Sequence, residues 1–109
     1  MKIYEVNFND HFVQMFSSKE QVIKGIYLWA KRCHYENFKI EENWLTYFYQ
    51  TFEVNDIVLD GTAKEFDENK KTWSKIHFFI AINDFTLDGY NQTDEDLMLS
   101  SKIKRFFNL

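Results

Sequence analysis

The chain has 109 residues, a net charge of −4, and 19% aromatic residues contributed by 12 Phe, 6 Tyr and 3 Trp. That length gives one domain that can bury about two-thirds of the surface its unfolded form exposes. No run of 18 apolar residues is present to cross a membrane, and the acidic balance repels phosphate backbones, which argues against sequence-independent nucleic-acid binding.

From the start, Ile3–Phe8 alternates with Tyr4, Val6 and Phe8 on one face, which predicts a strand. It begins without the apolar stretch of a signal peptide, and the lone Cys33 forms no internal disulfide, so the expected location is the cytoplasm. Asn9-Asp10 is a turn signal, and Phe12–Phe16 predicts a second short strand. A helix over about 18–34 follows. Ser17 or Ser18 with Glu20 or Gln21 can form a capping box, and Val22, Ile23, Ile26, Tyr27, Trp29, Ala30 and Cys33 recur at helical spacing. Lys19, Lys24, Lys31 and Arg32 form its solvated side, while Gly25 weakens it or marks a close contact.

Phe38–Ile40 predicts a short strand. Trp44–Val54 fits a helix through Leu45, Phe48, Tyr49 and Phe52, but its Tyr, Phe and Thr content favours a strand, and strand is the expectation. Thr62–Phe66 and Thr72–Ile82 are joined by a turn at Asp67-Glu68-Asn69-Lys70. In the second of these, Ile76, Phe78, Ile80 and Ile82 alternate along a strand expected to be central and covered on both faces. A last helix is expected over about 93–107, with acids in its first turn and Lys102, Lys104 and Arg105 near its end. The fold expected is α+β: a single domain over 1–109 without linker or disordered tail, an antiparallel sheet of four to five strands, and a helix in each half.

One phrase occurs twice. Asn55-Asp56-Ile57-Val58-Leu59-Asp60-Gly61 returns as Asn83-Asp84-Phe85-Thr86-Leu87-Asp88-Gly89. With Phe48, Phe52 and Val54 aligned to Ile76, Ile80 and Ile82, the repeat predicts two strand–turn–strand units, each closed by Asp-Gly as a tight turn. The second copy also resembles an EF-hand-type calcium loop, with Asp84, Thr86 and Asp88 as oxygen ligands, Gly89 at the sharp turn and Glu95 at position 12. The first copy has Val58 where a ligand oxygen is needed, so the turn is the preferred reading and calcium the alternative.

Other chemistry is sparse. His11, His34 and His77 are scattered, and Cys33 next to His34 cannot face one metal from a helix. Gly25, Gly61 and Gly89 are unclustered and form no phosphate loop. No catalytic residue is assigned, which leaves an enzyme with an unrecognised site as a third reading. Lys102-Ile103-Lys104-Arg105 reads as a helix end rather than a nucleic-acid contact.

Charge, however, is segregated. Between Glu41 and Glu68 eight acids stand against Lys64 alone. Glu41, Glu42, Trp44, Tyr47, Tyr49 and Glu53 combine acids with aromatic anchors, and on a strand Tyr47, Tyr49 and Glu53 would share a face opposite Phe48, Phe52 and Val54. Such a patch suits docking to a basic protein. The expected function is that of a small acidic inhibitor, immunity- or antitoxin-like or a phage-encoded anti-defence protein, that occludes a basic nuclease or toxin.

Overall fold

A computed structural model describes residues 2–86. Five strands, β1 (Lys2–Phe8), β2 (Phe12–Phe16), β3 (Glu36–Ile40), β4 (Ile57–Asp67) and β5 (Thr72–Thr86), form one antiparallel sheet in the order β2-β1-β5-β4-β3. Two helices, α1 (Lys19–Arg32) and α2 (Trp44–Gln50), complete an α+β arrangement. The helix expected over 93–107 lies outside the described residues.

Strand alternation decides which side chains form the core. β5 pairs with β1 from Thr86 back to Ile80 and with β4 from Ile82 back to Thr72. The register puts Val6 and Ile57 beside Ile82, and Phe8 and Leu59 beside Ile80. These six side chains are buried on one face with Phe78, Val22, Ile26 and Phe48 from the helices and β5. Fully burying each large side chain contributes roughly 1.5–3 kcal/mol. The other face of β5 carries half-buried Phe79 and Ala81 between exposed His77 and Asn83, so the expected burial of both faces is met on one only.

Helix α1 is closed at both ends by local chemistry. Ser18 Oγ accepts from the Gln21 backbone N–H at 3.2 Å, and Gln21 Oε1 reaches back to the Ser17 N–H at 3.0 Å. At the other end His34 is left-handed, with φ 56°; its N–H donates to Lys31 O, and the Tyr35 N–H donates to Ala30 O. That pair of bonds is a Schellman motif, in which the left-handed position normally belongs to glycine. Gly25 is a packing contact: a Cβ there would collide with the Phe16 ring.

Aromatic rings tie α1 to the sheet. Trp29 packs on Phe8 at 5.1 Å, on Phe78 at 5.5 Å and on Tyr35 at 5.5 Å between centroids, and Phe38 stacks on Phe78 at 5.0 Å. Gly61 lies below these rings, where a Cβ would strike Phe78 and approach the Lys39 carbonyl to 2.7 Å.

Two expectations are corrected here. Trp44–Gln50 is helical rather than extended, because Trp44 and Phe48, four residues apart, both point into the core. Asp60-Gly61 is no turn: it lies within β4, and no glycine among the described residues has positive φ. The turn in that copy is at Asp56, with φ 57°. The first copy therefore closes no Asp-Gly hairpin, and Asp88-Gly89 of the second lies outside the described residues. Ile57 of the first copy enters the β4–β5 ladder opposite Ile82, the residue just before the second copy.

The left-handed strain at His34 predicts that His34→Gly stabilises the fold by about 1 kcal/mol, measured as a raised urea midpoint at unchanged slope. Burial, reinforced by the charge and hydrogen bond of Cys33, pushes the Tyr35 hydroxyl up to about 12. The folded chain thus keeps a proton that the unfolded chain loses near 10, so this contribution is intact below about pH 10 and lost as pH rises towards about 12. Denaturant midpoints taken across that window should fall less steeply in Tyr35→Phe than in the wild type.

Candidate functional site

Helix α2 and the segments joining it to β3 and β4 carry the partner residues singled out from the sequence. Seven residues are too few for a helix to persist alone in water. Its N-cap, Asn43, is left-handed at φ 64° and gives no side-chain cap. The C-terminal end is held by a residue from far along the chain. The Lys19 ammonium donates to the carbonyls of Phe48 at 2.7 Å and Thr51 at 2.6 Å, with Tyr49 O at 3.4 Å, and lies 5.3 Å from the centre of the Phe48 ring. A cation over the unsatisfied carbonyls complements the helix dipole at its negative end. Thr51 adds a bond from its hydroxyl to Tyr47 O at 2.7 Å. Lys19 is therefore a structural anchor of this segment rather than a solvated residue of α1.

The helix also redistributes the expected patch. Trp44 is 7% exposed and belongs to the core, so it offers no surface to a partner. Tyr47 and Tyr49 are both about half exposed, but two residues of helix turn them roughly 200° apart, on opposite flanks of the buried Trp44–Phe48 stripe. Leu45 is instead the companion of Tyr49, four residues along the same flank. Phe52, expected to face the core, is 87% exposed. Glu41, Glu42 and Glu53 are exposed, as are Asp56 and Asp60. Strand pairing brings Glu41 to Asp60, whose carbonyl accepts the Glu41 N–H at 3.0 Å.

Beneath Phe52 the two copies of the repeated phrase meet. Lys2 donates to Phe52 O at 3.0 Å, lies 5.2 Å from the centre of its ring, and pairs with Asp84 Oδ2 at 3.1 Å. The Asp84 side chain is 3% exposed; the Lys2 contact supplies opposite charge to Oδ2, although it lacks hydrogen-bond alignment. With its amide nitrogen turned towards Asp84, Asn55 has Asp84 O at 2.9 Å, Asp84 Oδ1 at 3.1 Å and Asn83 Oδ1 at 2.8 Å, which share its two N–H protons. Asn55 of the first copy thus fastens Asn83-Asp84 of the second. Of the calcium set, Asp84 is engaged in this way, and Thr86 is exposed at the end of β5. Asp88 and Glu95 lie outside the described residues. Among the described residues no three His, Cys, Asp or Glu side chains gather as a metal site.

Leu45, Phe52, Asp56 and Asp60 were not singled out from the sequence as partner residues. The helical spacing of Leu45, Phe48, Tyr49 and Phe52 was the available signal for the first two. Lys2 and Lys19 gave none, because each acts on a segment about 30 to 50 positions away.

Removing the Lys19 ammonium leaves carbonyls at the end of α2 without their donor. Lys19→Met is expected to cost about 1–3 kcal/mol in chemical denaturation and to speed amide exchange across Trp44–Thr51 before any other segment.

The chain matches no family model, no curated protein and no solved structure.

Proposed function

We propose that the protein is a protein-binding module that docks through the acidic, aromatic surface of α2 and its connection to β4, and inhibits a basic partner by covering its working surface. The observation that supports this most is Phe52, a phenylalanine 87% exposed at the end of a well-anchored segment. An isolated exposed side chain needs no explanation, but this one follows exposed Leu45 and Tyr49 within a few positions of the chain, and Glu53 and Asp56, close after it, are exposed too. Burying such rings at the centre of an interface supplies most of the binding energy, and surrounding carboxylates steer encounter with a cationic surface.

Pre-organisation favours the same reading. Lys19 holds the end of α2, and Lys2 fixes the Phe52 carbonyl while its cation lies against the ring. A ring held in place loses less freedom on binding than one on a loose loop. The acidic net charge fits an inhibitor that works by occupancy, of the immunity, antitoxin or anti-defence kind. Its target would be a nuclease or toxin with a basic active surface.

A photo-crosslinking residue at position 52, used in the native cell, should capture a protein with a net positive surface whose activity the purified chain then inhibits. Phe52→Asp and Glu53→Lys should each weaken that inhibition at least tenfold while leaving the thermal midpoint near that of the wild type. Crosslinks to no basic protein, or inhibition unaffected by both substitutions, would defeat the proposal.

A further inference from the structure

The two outer strands of the sheet are treated differently. β3 has the protections of an exposed edge: Glu36 and Lys39 are charged and exposed, and its pairing with β4 is interrupted by a register shift between them. β2 has none of these. Its sequence, Phe12-Val13-Gln14-Met15-Phe16, holds no charge and no proline, and it pairs with β1 without interruption from Tyr4–Phe16 to Phe8–Phe12. Among the described residues the outer side of β2 has no strand partner. Unprotected edges of this kind pair readily with an added strand.

A cleft of about 490 Å³ runs beside that edge, between β2 and α1. Phe12, Phe16, Leu28 and Trp29 give it apolar walls, and Phe12 and Leu28 are about half exposed. Among the described residues its charged lining is Lys24 and Arg32, with no carboxylate. In a chain of net charge −4, that is a local inversion of sign. Lys24, Leu28 and Arg32 follow one another every four residues along α1, a spacing of roughly 6 Å. Alternate residues of a strand are separated by roughly 6.6 Å, so an extended chain beside β2 presents same-face side chains at nearly the same interval.

We propose that the outer edge of β2 accepts an extended segment of a partner protein by strand addition. The face turned to α1 reads acid, apolar, acid, set against Lys24, Leu28 and Arg32. Main-chain hydrogen bonds to β2 supply affinity, and the alternating side chains in the cleft supply specificity. A second copy of this chain pairing through its own β2 is disfavoured, because Phe12, Gln14 and Phe16 bring no carboxylate to Lys24 and Arg32. This surface has the opposite charge to the one on α2, and its assignment does not rest on the reading given for that one.

The test uses the full chain and an acetylated, amidated heptapeptide Thr-Glu-Thr-Val-Thr-Glu-Thr, with Lys in place of Glu as the control. Saturable shifts of the Trp29 indole N–H and slowed exchange of amides within Phe12–Phe16 are expected with the glutamate peptide alone. Lys24→Glu combined with Arg32→Glu, both at exposed positions, should lower its affinity at least tenfold and transfer binding to the lysine peptide. Absence of saturable binding, binding without protection of β2, or affinity unchanged by charge reversal would overturn the proposal. So would a concentration-dependent dimer that the peptide disperses, since that assigns the edge to a second copy. Should the double variant fail to fold, protection of β2 in the wild type still decides the matter.

Discussion

β5 hydrogen-bonds on both of its edges, to β1 and to β4, and the two registers must agree with each other. A slip of one residue against either neighbour would turn Phe78, Ile80 and Ile82 away from α1 and α2 and place His77, Phe79 and Ala81 beneath them. Apolar burial on one face thus fixes both ladders at once. Placement of the remaining elements follows from that choice. Phe78 needs a neighbour without a side chain, which Gly61 provides, and its ring becomes the support on which Phe38 and Trp29 pack. Part of the aromatic richness of the chain goes into this network of rings joining α1, β3 and β5.

Two lysines link distant parts of the chain through backbone oxygens. Lys19, at the first position of α1, holds the last carbonyls of α2, so the helices are coupled by a cation rather than by apolar packing alone. Lys2, at the start of β1, joins the Phe52 carbonyl to the buried Asp84 carboxylate. Both contacts lie under the segment that presents Tyr49, Phe52 and Glu53. Positive charge is consumed beneath that surface, and the acids around it face solvent. On α1 the reverse holds, since among the described residues Lys24 and Arg32 line a cleft without a carboxylate. The small net charge therefore conceals two surfaces of opposite sign.

Much of the sheet was legible in the sequence because its signals are local. Alternation in Ile3–Phe8 and Ile76–Ile82, the Asn9-Asp10 turn, and the Asp67 turn, where the carboxylate accepts from the Asn69 N–H at 2.9 Å, each need only a few neighbouring residues. The start of α1 was equally readable from Ser17, Ser18 and Gln21. The segment Trp44–Val54 was not. Its aromatic and threonine content points to a strand, and the similarity to Ile76–Ile82 supplied a false second argument. Trp44 and Phe48 overrode both by packing into the core at helical spacing. That error hid Phe52 and placed Tyr47 beside Tyr49, whereas Trp44 entered the expected docking patch through its closeness in sequence to the acids and tyrosines. The repeated phrase misled in the same way: Asp-Gly reads as a turn, whereas Gly61 is required by the ring of Phe78 above it.

The amino-acid sequence by itself determined the strand periods, the cap of α1, the turn chemistry and the uneven distribution of charge, since each depends on residues within a turn or a few positions of one another. Tertiary structure alone decided the helical state of α2, the placement of Lys2 and Lys19, and the meeting of Asn55 with Asp84. Among the described residues it also left β2 as an edge strand beside a basic cleft. These outcomes rest on contacts between segments tens of residues apart, whose energies enter only once the chain has folded back on itself.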